Sequence, residues 1–291
     1  MALRSARIRT MATDNMQMQR WELKYVIPAA LALALRDFVS SYLEIDEYGA
    51  NRPNLSYSIH NLYLDSDDLR IYWGTINGNK NRYKLRLRFY EDNPNAPVYF
   101  EIKRRMNEAI LKQRGGVKRP AVEAVLAGHL PGPAELVSGD GRQLVAIQRF
   151  VELMMHDRAM PIAHVRYDRE AWISPTDNSV RVTMDRNVYI SPEFVARFSE
   201  QMDDPFCVFG RLVILELKFT GRFPDWFKEM VRIFNLRQGS ASKYADGIAR
   251  RGEPAFYPGG GAALMEAGFG TASERKAERM ARLDNLLAKA A

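Results

Sequence analysis

Three well-separated segments of the chain set Glu-x-Lys inside an apolar frame: WELKY (residues 21–25), YFEIKRR (99–105) and ILELKFTG (214–221). Successive side chains of a β-strand point to opposite faces, so each segment sorts into a charged face and an apolar one. Glu22 and Lys24 oppose Trp21, Leu23 and Tyr25; Glu101 and Lys103 oppose Phe100 and Ile102; Glu216 and Lys218 oppose Leu215, Leu217 and Phe219. Two further segments keep the same phase. YKLRLRFYED places Lys84, Arg86 and Arg88 opposite Leu85, Leu87 and Phe89, and SVRVTMD places Arg181, Thr183 and Asp185 opposite Val180, Val182 and Met184.

If these strands belong to one sheet, their apolar faces need covering and their charged faces line up. An open sheet would leave the charges in water as ordinary cross-strand Glu/Lys pairs. A sheet curled into a barrel would turn them onto a common lumen. Burying so many like charges dry costs several kcal/mol for each unpaired ion, so such a lumen has to be wet or filled by an anion. Lys84, Arg86 and Arg88 have no acid between them and repel one another unless an anion sits nearby. Phosphate suits the set: Arg offers a planar fork, Lys a compact charge, and glutamates hold a divalent metal against phosphoryl oxygens. From the residues alone, a solvated sheet face and an anion-binding barrel interior both stand.

The rest of the chain supplies the cover. After the strand RWELKYVIP, Pro28 opens a helical pattern over AALALALRDFVSSYLEI; YSIHNLYLDS reads as a strand and DDLRIYWGTING as a short helix closed by Gly78. RYKLRLRFYE, PVYFEIKRRM and AILKQRGGV form an expected antiparallel meander, followed by helices at PAVEAVLAG and GRQLVAIQRFVELMMHDR. Strands return at IAHVRYDREAWIS, SVRVTMDRNVYIS and RLVILELKFTG, and helices at PDWFKEMVRIFNL and SASKYADGIARR. The expected organisation is a disordered leader over 1–17, one body over 18–252, a Gly-rich linker over 253–272 and a charged amphipathic helix over 273–291.

Composition bounds the partners. The 291 residues carry a formal net charge of +7 with a pI near 9.4, which favours an anionic partner. No apolar run approaches the roughly 18 residues of a membrane span, and no secretory signal is present, so a cytoplasmic protein is expected. One cysteine, Cys207, excludes an intramolecular disulfide and suits a reducing compartment. Nucleic acid is a poor fit, because the strand cations are flanked by aliphatic neighbours rather than stacking aromatics. His60, His129, His156 and His164 fall on different elements without metal-ligand spacing and read as surface or packing residues.

Eight segments in this order, ELKYVIP, YSIHNLYLDSDDLRIYW, YKLRLRFY, FEIKRR, VRYDREAW, VRVTMDRNV, LELKF and SKYADGI, resemble the VTC domain. This is the polyphosphate polymerase branch of the CYTH-like triphosphate tunnel metalloenzymes, and the resemblance spans about residues 20–250. It implies an α+β fold: an antiparallel β-barrel, or tunnel, with a charged interior and flanking helices. It also implies ATP and inorganic polyphosphate or triphosphate as substrates and a divalent metal, manganese or magnesium, as cofactor. Its phosphate-binding positions fall on Lys24, Arg86, Arg88, Lys103, Arg166, Arg181, Lys218 and Lys243, and its metal-binding glutamate on Glu216, with Glu22 and Glu101 as further metal candidates. Arg86, Arg88, Lys103 and Glu216 are the expected catalytic set, transferring the γ-phosphoryl group of ATP to a growing chain; water as acceptor would make the same site an inorganic or nucleoside triphosphatase, and a site without turnover would be a noncatalytic polyphosphate-binding module. Tyr63 and Asp65 match a motif whose role reads as structural. One departure is Arg20, which gives Arg-x-Glu-x-Lys where the wider superfamily has Glu-x-Glu-x-Lys; fewer carboxylates for metal favour phosphate-chain handling over hydrolysis.

Overall fold

The computed structural model describes residues 20–107, 109–177, 179–258 and 274–290. The expected leader and the Gly-rich stretch from 259 to 272 lie outside the described residues. Among the described residues ten strands make one antiparallel sheet: β1 (Arg20–Pro28), β2 (Glu44–Ile45), β3 (Ser56–Asp65), β4 (Asn81–Phe89), β5 (Pro97–Met106), β6 (Ala109–Lys118), β7 (Met160–Ile173), β8 (Val180–Pro192), β9 (Phe206–Cys207) and β10 (Leu212–Thr220). The eight long strands run in the order β1-β10-β8-β7-β3-β4-β5-β6, with β2 added to β7 and β9 to β8. The two short strands carry no periodicity and escape a sequence reading.

The sheet curls so that its first and last strands approach each other, but no backbone hydrogen bonds join β1 to β6. The expected barrel is therefore a tunnel with a seam. A side-chain ion pair crosses near it, from Lys103 on β5 to Glu22 on β1, with Nζ to Oε1 at 2.9 Å. Closing a barrel through its backbone requires a matched register all the way round. Here charged side chains bridge where the ladder does not.

Helices cover the apolar face in three patches. Helices α1 (Ala29–Ser40) and, nearer the C-terminus, Asp225–Ile233 bury Leu35, Val39, Phe227 and Met230 against Tyr25, Leu215, Leu217, Val182 and Met184. Helices α2 (Arg70–Ile76), α3 (Val122–Leu126) and α4 (Gly141–His156) complete the first half of the cover. The α4 helix starts at Asp140, whose carboxylate accepts from Arg142 N at 3.0 Å. It then packs Ile147, Phe150 and Met154 on Leu87, Phe100 and Ile102. Gly115 permits that approach, since a Cβ there would stand 2.5 Å from the Gln143 carbonyl oxygen.

With Asp225–Ile233 as α5, the last two helices are α6 (Lys243–Arg251) and α7 (Glu274–Ala290). Tyr244 and Ile248 of α6, Tyr72 of α2 and Leu283 of α7 share one core with β3, β7 and β8. The same core takes in Phe256 and Tyr257, beyond residue 252 where a linker was expected. Asp65 ties this corner together by accepting from Ile71 N and Tyr72 N at 2.8 Å and from the Tyr244 hydroxyl at 2.7 Å. These bonds are the structural role expected for Asp65.

His60 and His164 face each other across β3 and β7 on the helix-covered side, with Nδ1 to Nε2 at 3.1 Å. Both are buried, and His60 stacks on Phe89. Burial lowers both basicities, helped by Arg166 near His60 and by His60 near His164, to pKa values of about 4 and about 3. The unfolded chain takes up these protons below about pH 6.5 while the folded one resists. Folding stability is accordingly expected to fall as pH drops from 6.5 toward 4, by a few kcal/mol in total. Denaturant titrations at pH 7 and pH 5 read this directly. Equal midpoints at the two pH values would contradict it.

Candidate functional site

The strand phase read from the sequence carries the charged side chains to the inner face, where they meet. On β1 and β10, Glu22 pairs in register with Lys218 and Lys24 with Glu216. Next along, Glu216 lies opposite Thr183 of β8, and Lys218 opposite Arg181. Across the sheet, Tyr63 opposes Arg86 and Asn61 opposes Arg88 between β3 and β4. Arg86 then lies opposite Glu101 and Lys84 opposite Lys103 on β5; Glu101 opposes Arg114 and Lys103 opposes Lys112 on β6.

Two buried carboxylates organise the lumen. Glu216 is surrounded by Lys24 (3.1 Å), Lys243 from the start of α6 (3.5 Å), Arg169 (3.7 Å) and Lys218. Glu101 is surrounded by Arg86 (2.6 Å), Lys112 (2.9 Å), Arg114 (3.6 Å) and Arg88 (3.7 Å). Burial opposes the charge of each glutamate, but the neighbouring cations outweigh it and hold both well below the usual carboxylate range. Asp185 adds a third centre, accepting a bidentate pair from Arg169 at 2.7 Å and one contact from Lys243 at 2.7 Å. At one end, Arg181 reaches Asp46 at 3.1 Å, and Asp46 also accepts from Tyr57.

Positive charge remains in excess. The carboxylates Glu22, Asp46, Glu101, Asp185 and Glu216 face Lys24, Lys84, Arg86, Arg88, Lys103, Lys112, Arg114, Arg169, Arg181, Lys218 and Lys243. The cations outnumber the acids about two to one. Lys84 shows the consequence: among the described residues its Nζ has no carboxylate partner and donates to the Ser242 hydroxyl at 2.9 Å. Burial, then Lys24 and Lys103, push its pKa well below the usual lysine value. Burial and the partly offsetting Glu216 bring Lys218 to about 8. Carboxylates outweigh burial at Lys24, through Glu216, and at Lys243, through Asp185, and raise their pKa values, whereas Lys84 and Lys218 resist protonation, which favours an anion beside those two.

Of the expected phosphate-binding residues, Lys24, Arg86, Arg88, Lys103, Arg181, Lys218 and Lys243 converge in this lumen. Arg166 does not. It pairs in register with His60, on the opposite face, and its Nη2 lies 3.4 Å from Ser58 and Asp168. The inward arginine of this strand is Arg169. The register slips between Arg166 and Asp168, and β7 carries polar groups on both faces, so apolar alternation did not mark its phase. Arg169→Ala is expected to weaken tripolyphosphate binding at least tenfold while Arg166→Ala leaves it unchanged, measured by titration calorimetry. Equal effects would return Arg166 to the site. Lys112, Arg114 and Asp185 were also absent from the expected set; in-phase spacing with Glu101 and Arg181 was the available signal.

The expected metal ligands divide. Glu22 and Glu216 share Lys24, at 3.3 and 3.1 Å from its Nζ. Glu101 sits in its own cage of cations on the opposite arm of the sheet. Among the described residues no three His, Cys, Asp or Glu side chains gather as a metal site. Magnesium-type ions often take only one or two protein carboxylates and complete their shell with water and phosphate oxygens. Glu216 and Glu22, which share Lys24, bring two carboxylates together and could offer such a pair; Glu101, ringed by four cations as Glu216 is, shares none of them with a second carboxylate among the described residues.

The fold and lumen define a class: a helix-covered antiparallel tunnel whose interior gathers more cations than carboxylates. The VTC domain profile matches residues 19–251, and the chain belongs to that family. It is similar to the vacuolar transporter chaperone complex subunit 4 of Schizosaccharomyces pombe, at 24% identity over 247 residues. That match covers 73% of this chain and 34% of the relative, so the chain spans about a third of that protein's length. Among solved structures, the PH1819 protein of Pyrococcus horikoshii OT3 is similar with a TM-score of 0.39 at 9% identity, covering 80% of this chain and 100% of that one. Among the described residues, no helix is long and apolar enough to cross a membrane.

Proposed function

We propose that the chain is a metal-dependent polyphosphate polymerase that moves the γ-phosphoryl group of ATP onto a growing polyphosphate chain. Family membership supports a polyphosphate-related function. The observation that carries the finer reading is the convergence of lumen cations in excess over their carboxylates. Phosphoryl transfer asks a protein for positioning and charge neutralisation more than for a covalent nucleophile. Arg86, Arg88 and Lys103 hold the γ-phosphoryl oxygens, while Lys24, Lys218 and Lys243 hold the acceptor end. A terminal phosphate oxygen of the chain attacks the γ-phosphorus in line. The bond to the β-phosphate oxygen breaks and ADP leaves with that electron pair. Glu216 and Glu22 would hold a magnesium or manganese ion, whose chemistry there is neutralisation of charge on phosphoryl oxygens.

The nucleoside has a place at one end of the lumen. Tyr90 follows β4 and Tyr99 opens β5, with ring centroids 6.1 Å apart, and Tyr48 lies 5.8 Å from Tyr57 on the same rim. Tyr48 and Tyr90 are exposed. Rings of this kind suit a nucleobase beside a phosphate site. Incubation of the protein with ATP and manganese should yield long-chain polyphosphate and ADP. Free phosphate as the sole product would make it a triphosphatase, and unconsumed ATP under varied metals would leave a binding module.

A further inference from the structure

At the other end of β4 and β5 the basic face runs on past the lumen. Lys84, Lys103 and Lys112 form one cross-strand row, and Arg82 and Arg105 form the next, about 7 Å further along the strands. Like charges placed directly opposite destabilise a sheet pair. Inside the lumen Glu22 and Glu101 offset them; at the lip nothing comparable does. Arg82 donates to the Asn79 carbonyl, and Arg105 Nε donates to the Asn107 carbonyl at 2.8 Å. Among the described residues neither arginine has a carboxylate partner. Arg279 of α7, seated on Asp246, adds a third guanidinium. Arg82 and Arg105 lie directly opposite each other in the ladder, and Arg82, its pKa lowered by burial and then by Arg105 and Arg279, feels both of the other guanidinium groups.

We propose that Arg82, Arg105 and Arg279 form a second anion site, a track for the phosphates of a polyphosphate chain that extends beyond the lumen. This rests on the reading of the lumen as a phosphate site and gives it a direction. The nucleotide lies at the tyrosine rim and the polymer leaves by the arginine lip, at opposite ends of β4 and β5. Polyphosphate fits better than nucleic acid because the one ring flanking these arginines, Tyr83 beside Arg82, is turned into the helix-covered core with its hydroxyl on Asp157, and Asn81, Arg104 and Met106 offer no ring for a base to stack on.

The test compares wild type with the Arg82→Gln/Arg105→Gln double variant, in the full chain, binding three probes: tripolyphosphate, a polyphosphate several tens of phosphates long, and single-stranded oligodeoxynucleotide. Arg105 is exposed and Arg82 half-buried, and a thermal melt checks that the variant folds. The track predicts roughly tenfold weaker binding of the long chain, with a log-log salt slope shallower by about two. Tripolyphosphate affinity stays unchanged. Unaltered long-chain binding overturns the proposal, as does an equal loss for tripolyphosphate. Wild-type oligonucleotide binding as tight as polyphosphate binding also overturns it. If wild type binds the long chain but not tripolyphosphate, the lumen reading falls and the track with it.

Discussion

Glu216→Gln should reduce ATP turnover by about 10²- to 10³-fold, the usual effect of removing one preorganised charge from a phosphoryl-transfer site. The substitution keeps the side chain's shape and removes the negative charge on which Lys24, Lys218, Lys243 and Arg169 converge. It also removes one of the two carboxylates proposed to hold a metal. Anion affinity should move the other way. With one acid fewer, the cations are freer to bind phosphate, so tripolyphosphate should bind as tightly as to wild type or more so. The two readouts together separate a metalloenzyme from a plain binder. Turnover within a factor of two of wild type would remove Glu216 from the chemistry.

The second large effect is on stability. Glu101 is fully buried and balances Arg86, Arg88, Lys112 and Arg114. Glu101→Gln leaves those cations uncompensated, and loss of one partner from a buried ion cluster costs about 3–5 kcal/mol. Added tripolyphosphate supplies the missing negative charge. It should therefore raise the melting temperature of the variant by more than that of wild type. Measured by scanning calorimetry, equal ligand-induced shifts would mean that the anion does not reach this cluster.

The strand alternation was legible because each of those strands has one covered face and one charged face, so period two survives in the residue types. That logic places Glu22, Lys24, Arg86, Arg88, Lys103, Arg181, Lys218 and Glu216 in one lumen. It failed on β7, where Arg166, Asp168 and Glu170 point outward into hydrogen bonds while Tyr167 and Arg169 point inward. A strand polar on both faces, with a register slip, hides its phase. Pairing of His60 with His164 was illegible for another reason: their contact depends on the register of β3 against β7, separated by about a hundred residues. The seam between β1 and β6 has no signature in residue types at all. It reflects the closure of a ladder, a property of the whole sheet.

The most direct measurement is a crystal structure of the protein soaked with tripolyphosphate. The account predicts phosphate density within hydrogen-bonding distance of Arg86, Arg88, Lys103 and Lys218 together. Density confined to the outer face beside Arg166, or a lumen holding only water at saturating ligand, would contradict it.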